Sequence, residues 1–340
     1  MLSKEITPRA IVEYLDQYVI GQEEAKRTLA VAVYAHYRKL STLGQRSEAI
    51  AKSNVLIIGS SGTGKTLACE TLSRFLAVPF VTADATSLAQ TRYVSDEIEA
   101  ILQRLVDRAG GDLRQASRGI VFIDEIDKLK TSSTGESRAT SGESVQHALL
   151  KIMEGAPVKL GADRFIDTTN ILFICGGAFV GLDKIMSRTH SFGFIATSET
   201  DNKSILDRLN DRVKPTDLFE FGLIPEFTGR LPVVARFGDL SREMLARIMS
   251  VPKNAIYHQF REVFRAEGVE LVVAPPVFEQ IAEIAIEYKT GGRSLRGIFE
   301  ELMTPILYVV PDHPQICRVE IGSLFEAPRY FKRNPENGET

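Results

Sequence analysis

The chain has 340 residues, more than one compact core of ordinary size holds, so two domains are expected, with one large α/β domain as the alternative. Hydrophobic residues make up 44% and charged residues 25% of the sequence, which argues against disordered, collagen-like and coiled-coil proteins. A formal net charge of −3 provides no overall attraction to nucleic acid or anionic lipid, so neither is an expected partner.

Two simple sequence features bear on compartment and cofactors. No apolar run approaches the roughly 20 residues of a membrane helix, and residues 1–8 lack the apolar core of a signal peptide. We therefore predict a cytoplasmic protein that does not bind a membrane. Cys69, Cys175 and Cys317 lie far apart without a C-x-x-C pair, so we expect reduced, mostly buried thiols and no zinc.

Short apolar runs rich in β-branched residues alternate with longer helical stretches through the first 240 residues. Continuous runs of this length are typical of strands covered on both faces, which predicts a parallel sheet between helices. Two polar stretches, at 130–144 and 188–201, predict surface loops. The predicted strands are residues 54–58, 78–81, 119–123 and 170–174.

The first predicted strand leads into a segment that matches the phosphate-binding pattern G-x-x-x-x-G-K-[ST] and precedes a predicted helix. Its glycines allow backbone N–H groups to turn around a phosphate, and the helix dipole adds positive potential. We expect Lys65 to reach the β- and γ-phosphates and Thr66 to supply its hydroxyl to Mg²⁺. The expected ATP-binding residues are Gly59, Ser60, Ser61, Gly62, Thr63, Gly64, Lys65, Thr66 and, where the helix is expected to begin, Leu67.

Two carboxylates follow the predicted strand at 119–123. Asp124 is expected to hold the water shell of Mg²⁺, and Glu125 to polarise the attacking water as a general base. The alternative for each residue is a helix N-cap, which the accompanying phosphate-binding loop disfavours. Because nucleotide binding alone needs only Asp124, the added Glu125 favours hydrolysis.

The pattern changes after residue 240. Helical segments at 242–249 and 277–288 precede a short strand-like piece at 316–321. The sequence therefore predicts a large α/β domain over 1–240, a smaller α-rich domain over 241–333 and a flexible tail over 334–340.

The phosphate-binding loop, the Asp-Glu pair and the segment Val19-Ile20-Gly21-Gln22 together resemble an AAA+ ATPase. More narrowly, nearly all of the chain after Thr7 resembles the ClpX family of protein unfoldases. The resemblance implies a P-loop fold, ATP and Mg²⁺, and a homohexamer that unfolds proteins, among them tagged substrates, and delivers them to a ClpP-type peptidase. Adaptor proteins are further candidate partners. We expect the family's amino-terminal zinc module to be absent. The matching blocks are 18–22, 83–86, 118–128, 141–143, 171–184, 221–234 and 290–296.

The resemblance also implies roles for single residues. Val19 and Ile20 would border the adenine. Arg230 matches the arginine finger, which reaches the γ-phosphate bound by the neighbouring subunit. Arg293 matches the sensor arginine of the small domain. Without the resemblance, Arg230 would be interpreted as a surface residue, and Arg293, which follows two glycines near a helix start, would be only weak evidence of a site.

Tyr93 and Val94 match the aromatic-aliphatic pair with which the family grips a substrate chain in the ring's pore. The family has glycines on both sides of this pair, whereas this chain has Arg92 and Ser95, so loop mobility and grip should differ. A second pore loop is expected by the same resemblance, with an ordinary solvated loop as the alternative. Its residues are Arg138, Ser141, Gly142 and Glu143.

Phe192, Gly193 and Phe194 match the loop that docks the family onto ClpP, with a buried turn as the alternative. The family's basic loop at the pore entrance has no counterpart, because only a short segment to Phe165 separates Gly155 from the next predicted strand.

Three other functions remain open. A stand-alone remodelling chaperone is disfavoured by the docking motif at 192–194. A nucleic-acid motor or clamp loader is disfavoured by Tyr93 and the acidic charge balance. A nucleotide-binding scaffold without turnover is disfavoured by Glu125 together with Arg230.

Overall fold

The computed structural model describes residues 6–42, 53–131, 137–161, 163–190, 212–288 and 290–333. The chain forms two compact units. The first comprises Met1–Val12, Glu23–Ser60 and Lys65–Phe237. The second comprises Glu13–Gln22, Ser61–Gly64 and Gly238–Thr340. The predicted tail at 334–340 lies outside the described residues.

A five-stranded parallel sheet with helices packed against it forms the core of the first unit. The strands before residue 238 are β1 (Val55–Ile58), β2 (Phe80–Asp84), β3 (Ile120–Asp124), β4 (Pro157–Leu160), β5 (Arg164–Asp167), β6 (Leu172–Gly177) and β7 (Val233–Arg236). The sheet has the order β2-β3-β6-β1-β7. Every residue of β1 and β6 is buried, which confirms the predicted parallel sheet between helices.

Several helices of the same part of the chain pack against this sheet and bury it. Leu102 and Leu105 of α5, for example, belong to the same apolar cluster as Val121 of β3. The helices are α1 (Pro8–Leu15), α2 (Glu23–Thr42), α3 (Lys65–Leu76), α4 (Ala85–Gln90), α5 (Val94–Arg108), α6 (Leu113–Ala116), α7 (Ser137–Glu154), α8 (Leu182–His190), α9 (Pro215–Phe221) and α10 (Pro225–Thr228).

The loop predicted at 130–144 is wrong from Ser137 onward, where α7 begins. The helix is held by tertiary contacts that local composition does not reveal. Gln146 donates from Nε2 to the carbonyl of Leu129 (2.8 Å), and a Cβ at Gly142 would lie 2.7 Å from that oxygen. A glycine in the helix therefore permits this close approach. Residues 188–190 of the second predicted loop belong to α8, and the rest of that stretch lies outside the described residues.

The segment expected to lead directly from Gly155 into the next strand instead forms the antiparallel hairpin β4–β5. Strand β7 was not predicted either. It pairs with β1 at the edge of the sheet and is only partly buried, so it lacks the continuous apolar run of a central strand.

The second unit packs helices on a small mixed sheet. Phe278 and Phe299 stack in its core with ring centroids 6.2 Å apart. The predicted helices at 242–249 and 277–288 and the strand at 316–321 are present, whereas the two partner strands were not predicted. The elements are α11 (Arg242–Ser250), α12 (Ile256–Ala266), β8 (Glu270–Val273), α13 (Pro275–Glu287), α14 (Arg293–Val309), β9 (Ile316–Ile321) and β10 (Arg329–Lys332).

Two of the three cysteines are buried, and none forms a disulfide. Burial, with a smaller contribution from the charge of Asp124, raises the pKa of the Cys69 thiol. Burial also raises the pKa of Cys175 to about 12. Both thiols are therefore protonated and unreactive at neutral pH. Within the described ranges, no helix is both long enough and apolar enough to cross a bilayer.

Candidate nucleotide-binding and hydrolysis site

The first unit brings the two predicted Mg²⁺-binding side chains together. Strands β1 and β3 are parallel, with β6 between them, so their carboxyl ends lie at one edge of the sheet. The hydroxyl of Thr66, just after β1 and its loop, donates to Oδ2 of Asp124 at 3.5 Å. Hydroxyl and carboxylate oxygens are the hard ligands that Mg²⁺ prefers, so this pair fits the ion.

Lys65 lies inside the phosphate-binding loop. Its Nζ donates to the carbonyls of Gly59 at 2.5 Å and Ser60 at 3.0 Å, and the side chain is buried. Helix α3 begins at Lys65, slightly earlier than the predicted start around Leu67. The first-turn N–H groups and the ammonium together form a site for phosphate oxygens, which fits the group that the motif predicts.

Glu125 has a left-handed backbone, with φ 58° and ψ 31°. A residue with a side chain rarely adopts this conformation, and such outliers concentrate at functional sites. Its N–H donates to Oδ1 of Asp124 at 2.9 Å, and its carbonyl accepts from the N–H of Lys128 at 2.9 Å. Glu125 thus turns the chain sharply at the sheet edge that carries Thr66 and Asp124.

Asp127 stabilises the same edge, although no sequence motif identifies it. Its buried carboxylate accepts hydrogen bonds from the N–H groups of Ala178 and Phe179, both at 3.3 Å. It thereby ties the turn after β3 to the end of β6. The only sequence signal for this contact is the Gly176-Gly177 pair at the end of β6.

Replacing Gly177 with alanine should destabilise this edge. The new Cβ would lie 2.5 Å from Oδ1 of Asp127 and 2.8 Å from Cε2 of Phe179, closer than real Cβ contacts. We expect the free energy of unfolding to fall by about 1–3 kcal/mol in urea titrations. Gly297→Ala is the control, because nothing lies within 4 Å of its Cβ. Equal stability of the two variants would contradict this description of the edge.

Arg230 lies near the amino-terminal ends of the strands, opposite to the end of the sheet that carries Thr66 and Asp124. Its carbonyl accepts a hydrogen bond from Nδ2 of Asn54 at 3.2 Å, and Asn54 immediately precedes β1. The four residues of β1, about 13 Å at the usual rise, separate this point from the phosphate-binding loop. The guanidinium contacts Oε1 of Glu154 through Nε at 2.9 Å and Nη2 at 2.6 Å. Neither Asn54 nor Glu154 was identified from the sequence.

The second unit holds the predicted adenine-bordering segment. Val19 and Ile20 are buried. The Gln22 side chain donates to the carbonyl of Gly238 and accepts from its N–H, both at 2.8 Å. Gly21 and Gln22 both have positive φ, so the segment turns sharply just before this contact.

The second unit also contains Ser61–Gly64 and the turn before α14. The N–H of Gly292 donates to the carbonyl of Gly62 at 3.3 Å. A Cβ at Gly62, whose φ is +80°, would lie 2.9 Å from the backbone of Thr290 and Gly292, so glycine is required there. Arg293 begins α14 next to this turn, with its side chain exposed.

The residues expected to line a pore differ in exposure. Tyr93 is 59% exposed, whereas Val94 begins α5 and packs partly against the core, so only the aromatic member projects. Glu143 is exposed and Gly142 is buried. The side chains of Arg138 and Ser141, and all of Phe192, Gly193 and Phe194, lie outside the described residues. Among the described side chains, no group of three or more His, Cys, Asp and Glu could hold a metal ion.

Comparison with known proteins identifies the family. Residues 50–234 match the family model described as "AAA domain (Cdc48 subfamily)". Three relatives are described as ATP-dependent Clp protease ATP-binding subunit ClpX, the third as ClpX 3. The Treponema denticola relative is 46% identical over 90% of this chain and 77% of its own length. The Azotobacter vinelandii relative is 44% identical over 93% of this chain and 77% of its own length. The Methylococcus capsulatus relative is 42% identical over 93% of this chain and 80% of its own length.

These matches cover most of the chain and of each relative, and the first unit has the parallel sheet of a P-loop ATPase together with Lys65, Thr66 and Asp124. The residues that meet at the carboxyl edge of that sheet fit ATP and Mg²⁺, which the family implies. The chain is therefore an ATPase and belongs to the ClpX family of AAA+ proteins.

Proposed function

We propose that the chain is one subunit of a homohexameric ring that uses ATP hydrolysis to unfold proteins and passes them to a ClpP-type peptidase. The relatives named above are subunits of an ATP-dependent Clp protease by name. The main support for a ring is the position of Arg230, at the end of the sheet opposite to Thr66 and Asp124. An arginine finger there is suited to a neighbour's phosphates, so a closed ring completes every site.

Each residue of the hydrolysis site has a proposed task. Lys65 binds the phosphates, and Thr66 with Asp124 holds Mg²⁺, which neutralises charge on the phosphates. Glu125 accepts a proton from the attacking water. Arg230 of the adjacent subunit stabilises the charge that builds in the transition state. Val19 and Ile20 border the adenine, and Arg293 senses the nucleotide.

The surroundings of Tyr93 favour a protein substrate over nucleic acid. An exposed aromatic ring can press on any polypeptide without reading its sequence. The first turn of α5, directly after Tyr93, carries Asp96 and Glu97, and these carboxylates would repel a phosphate backbone. Cζ of Arg92 lies 5.8 Å from the centroid of the Tyr93 ring and restricts the motion of that side chain. Arg92 also restricts the backbone more than the glycine that the family has at this position would.

Two further contacts of the ring are proposed from the family alone. Arg138, Ser141, Gly142 and Glu143 belong to α7. They would form the second substrate contact through the exposed Glu143, whereas the buried Gly142 packs against Leu129. Phe192, Gly193 and Phe194 would dock the ring onto the peptidase, where several weak contacts made together give a stable complex.

Replacing Tyr93 with alanine tests the protein-unfolding part of this proposal. We expect the rate of ATP-dependent unfolding of a stably folded protein to fall at least about tenfold, because the gripping surface is lost. ATP hydrolysis should continue, since Tyr93 is not part of the hydrolysis site. Tyr93→Phe is the matched control and should unfold the substrate nearly normally. An unchanged unfolding rate in Tyr93→Ala would show that the aromatic side chain of Tyr93 does not grip the substrate.

A further inference from the structure

We propose that Glu154 is a positioning residue for Arg230, which orients the guanidinium so that its outer edge faces the phosphates of the adjacent subunit. The inference rests on the proposed role of Arg230 as an arginine finger and names a residue on which that role depends. Its basis is the geometry at the end of α7.

The contact uses one particular edge of the guanidinium. Nε and Nη2 of Arg230 lie 2.9 and 2.6 Å from the same oxygen, Oε1 of Glu154. A guanidinium has five N–H donors in one plane, so occupying the Nε edge leaves the donors of Nη1 directed elsewhere. Because the group is planar, holding one edge also fixes the direction of the others. Glu154 therefore orients the part of Arg230 that is suited to bind phosphate oxygens.

Stability alone does not account for this pair. The side chains of Arg230 and Glu154 are 49% and 43% exposed, and ion pairs with that exposure add little to stability. Glu154 is also the last residue of α7, where the negative end of the helix dipole disfavours a carboxylate. The unfavourable position of the Glu154 carboxylate and its small effect on stability are better explained by a role in orienting Arg230.

The backbone around the pair is held firmly. Buried Asn54 donates from Nδ2 to the carbonyls of Met153 and Arg230, at 3.4 and 3.2 Å, so one amide connects the two chain segments. Helix α7 ends at Glu154, because the next residue, Gly155, has φ +103°, which is outside the helical range. Only glycine fits there, since an added Cβ would lie 2.7 Å from Oγ1 of Thr169. Because both backbones are fixed, the contact with Glu154 determines the orientation of the Arg230 side chain.

Replacing Glu154 should lower kcat rather than weaken ATP binding. A finger stabilises charge that develops only in the transition state, so a misdirected finger leaves the ground-state complex unchanged. We expect Glu154→Ala to lower kcat about 10- to 100-fold, the scale of a misplaced catalytic group, with the KM for ATP changed less than about threefold. Glu154→Gln keeps an acceptor oxygen for Nε and should lose less.

A matched control exists on α3. Arg74 and Glu70 form an exposed pair at 2.5 Å with side-chain exposures of 50% and 44%, almost the values of Arg230 and Glu154. Glu70→Ala removes an equivalent carboxylate without touching Arg230, so kcat should stay at the wild-type value. Sedimentation of every variant in the presence of ATP verifies that rings of the same size are compared.

Variants of Arg230 separate failure of this inference from failure of the finger itself. Glu154→Ala in an Arg230→Ala background should cause no further loss, because Glu154 acts only through Arg230. If Arg230→Ala stops hydrolysis while Glu154→Ala has wild-type or raised kcat, Glu154 does not position the finger. An additional loss in the double variant would likewise overturn the inference. Normal hydrolysis in Arg230→Ala would instead reject the finger, and the positioning role with it.

Discussion

Glu125→Gln subunits are expected to bind ATP nearly as wild-type subunits do, while kcat falls by at least about a hundredfold, the usual contribution of a general base. The amide of glutamine has nearly the same shape as the carboxylate, but it does not accept a proton from water. The left-handed backbone at this position should persist, because the substitution changes only the end of the side chain. The loss therefore falls on the chemical step.

Nucleotide binding and turnover measured on the same preparation separate the two effects. Lys65→Ala is the contrasting variant, because Lys65 lies inside the phosphate-binding loop and its removal takes away contacts to the bound nucleotide itself. It should lose binding and turnover together. If Glu125→Gln hydrolyses ATP at the wild-type rate, Glu125 is not the base.

Arg230→Ala is expected to bind ATP in each subunit but to lower kcat on the order of 10³-fold, the lower range for an arginine finger in phosphoryl transfer. The planar fork of arginine matches the charge spread over phosphoryl oxygens, and alanine leaves that charge uncompensated. Stability should change by less than about 1 kcal/mol, because the side chain is half exposed and its ion pair is a surface pair.

Mixed rings test whether the finger acts across a subunit boundary. Arg230→Ala subunits retain Glu125, and Glu125→Gln subunits retain Arg230, so some interfaces of a mixed ring contain both groups. Hydrolysis should return in such mixtures, although kcat of each variant alone is lowered at least about a hundredfold. No recovery in rings verified to contain both variants would contradict action between subunits.

The parts of the fold that follow local patterns were predictable from the sequence. Strands β1, β3 and β6 are continuous buried runs, and the phosphate-binding loop has its residues at fixed spacing. The meeting of Thr66 and Asp124 follows once the strands are parallel, because their carboxyl ends share an edge. These features need no knowledge of contacts between distant residues.

The features that were missed depend on such contacts. Edge strand β7 and hairpin β4–β5 are short and half exposed, so their side chains carry no clear period. Helix α7 is stabilised by contacts of Gly142 and Gln146 with Leu129, in the turn after β3. Asn54, Asp127 and Glu154 are ordinary polar residues in the sequence, and only the fold brings them to their partners.

The proposed function couples ATP hydrolysis to the delivery of unfolded protein into a ClpP-type peptidase. The most direct measurement is the degradation of a stably folded fluorescent protein by the chain mixed with such a peptidase, with ATP and with a nonhydrolysable analogue. We expect ATP and the chain to cause loss of fluorescence, and short peptides to form only when ATP, the chain and the peptidase are all present. Fluorescence lost with ATP at the same rate with or without the peptidase, and without peptides, would contradict the proposed function and favour a stand-alone remodelling chaperone.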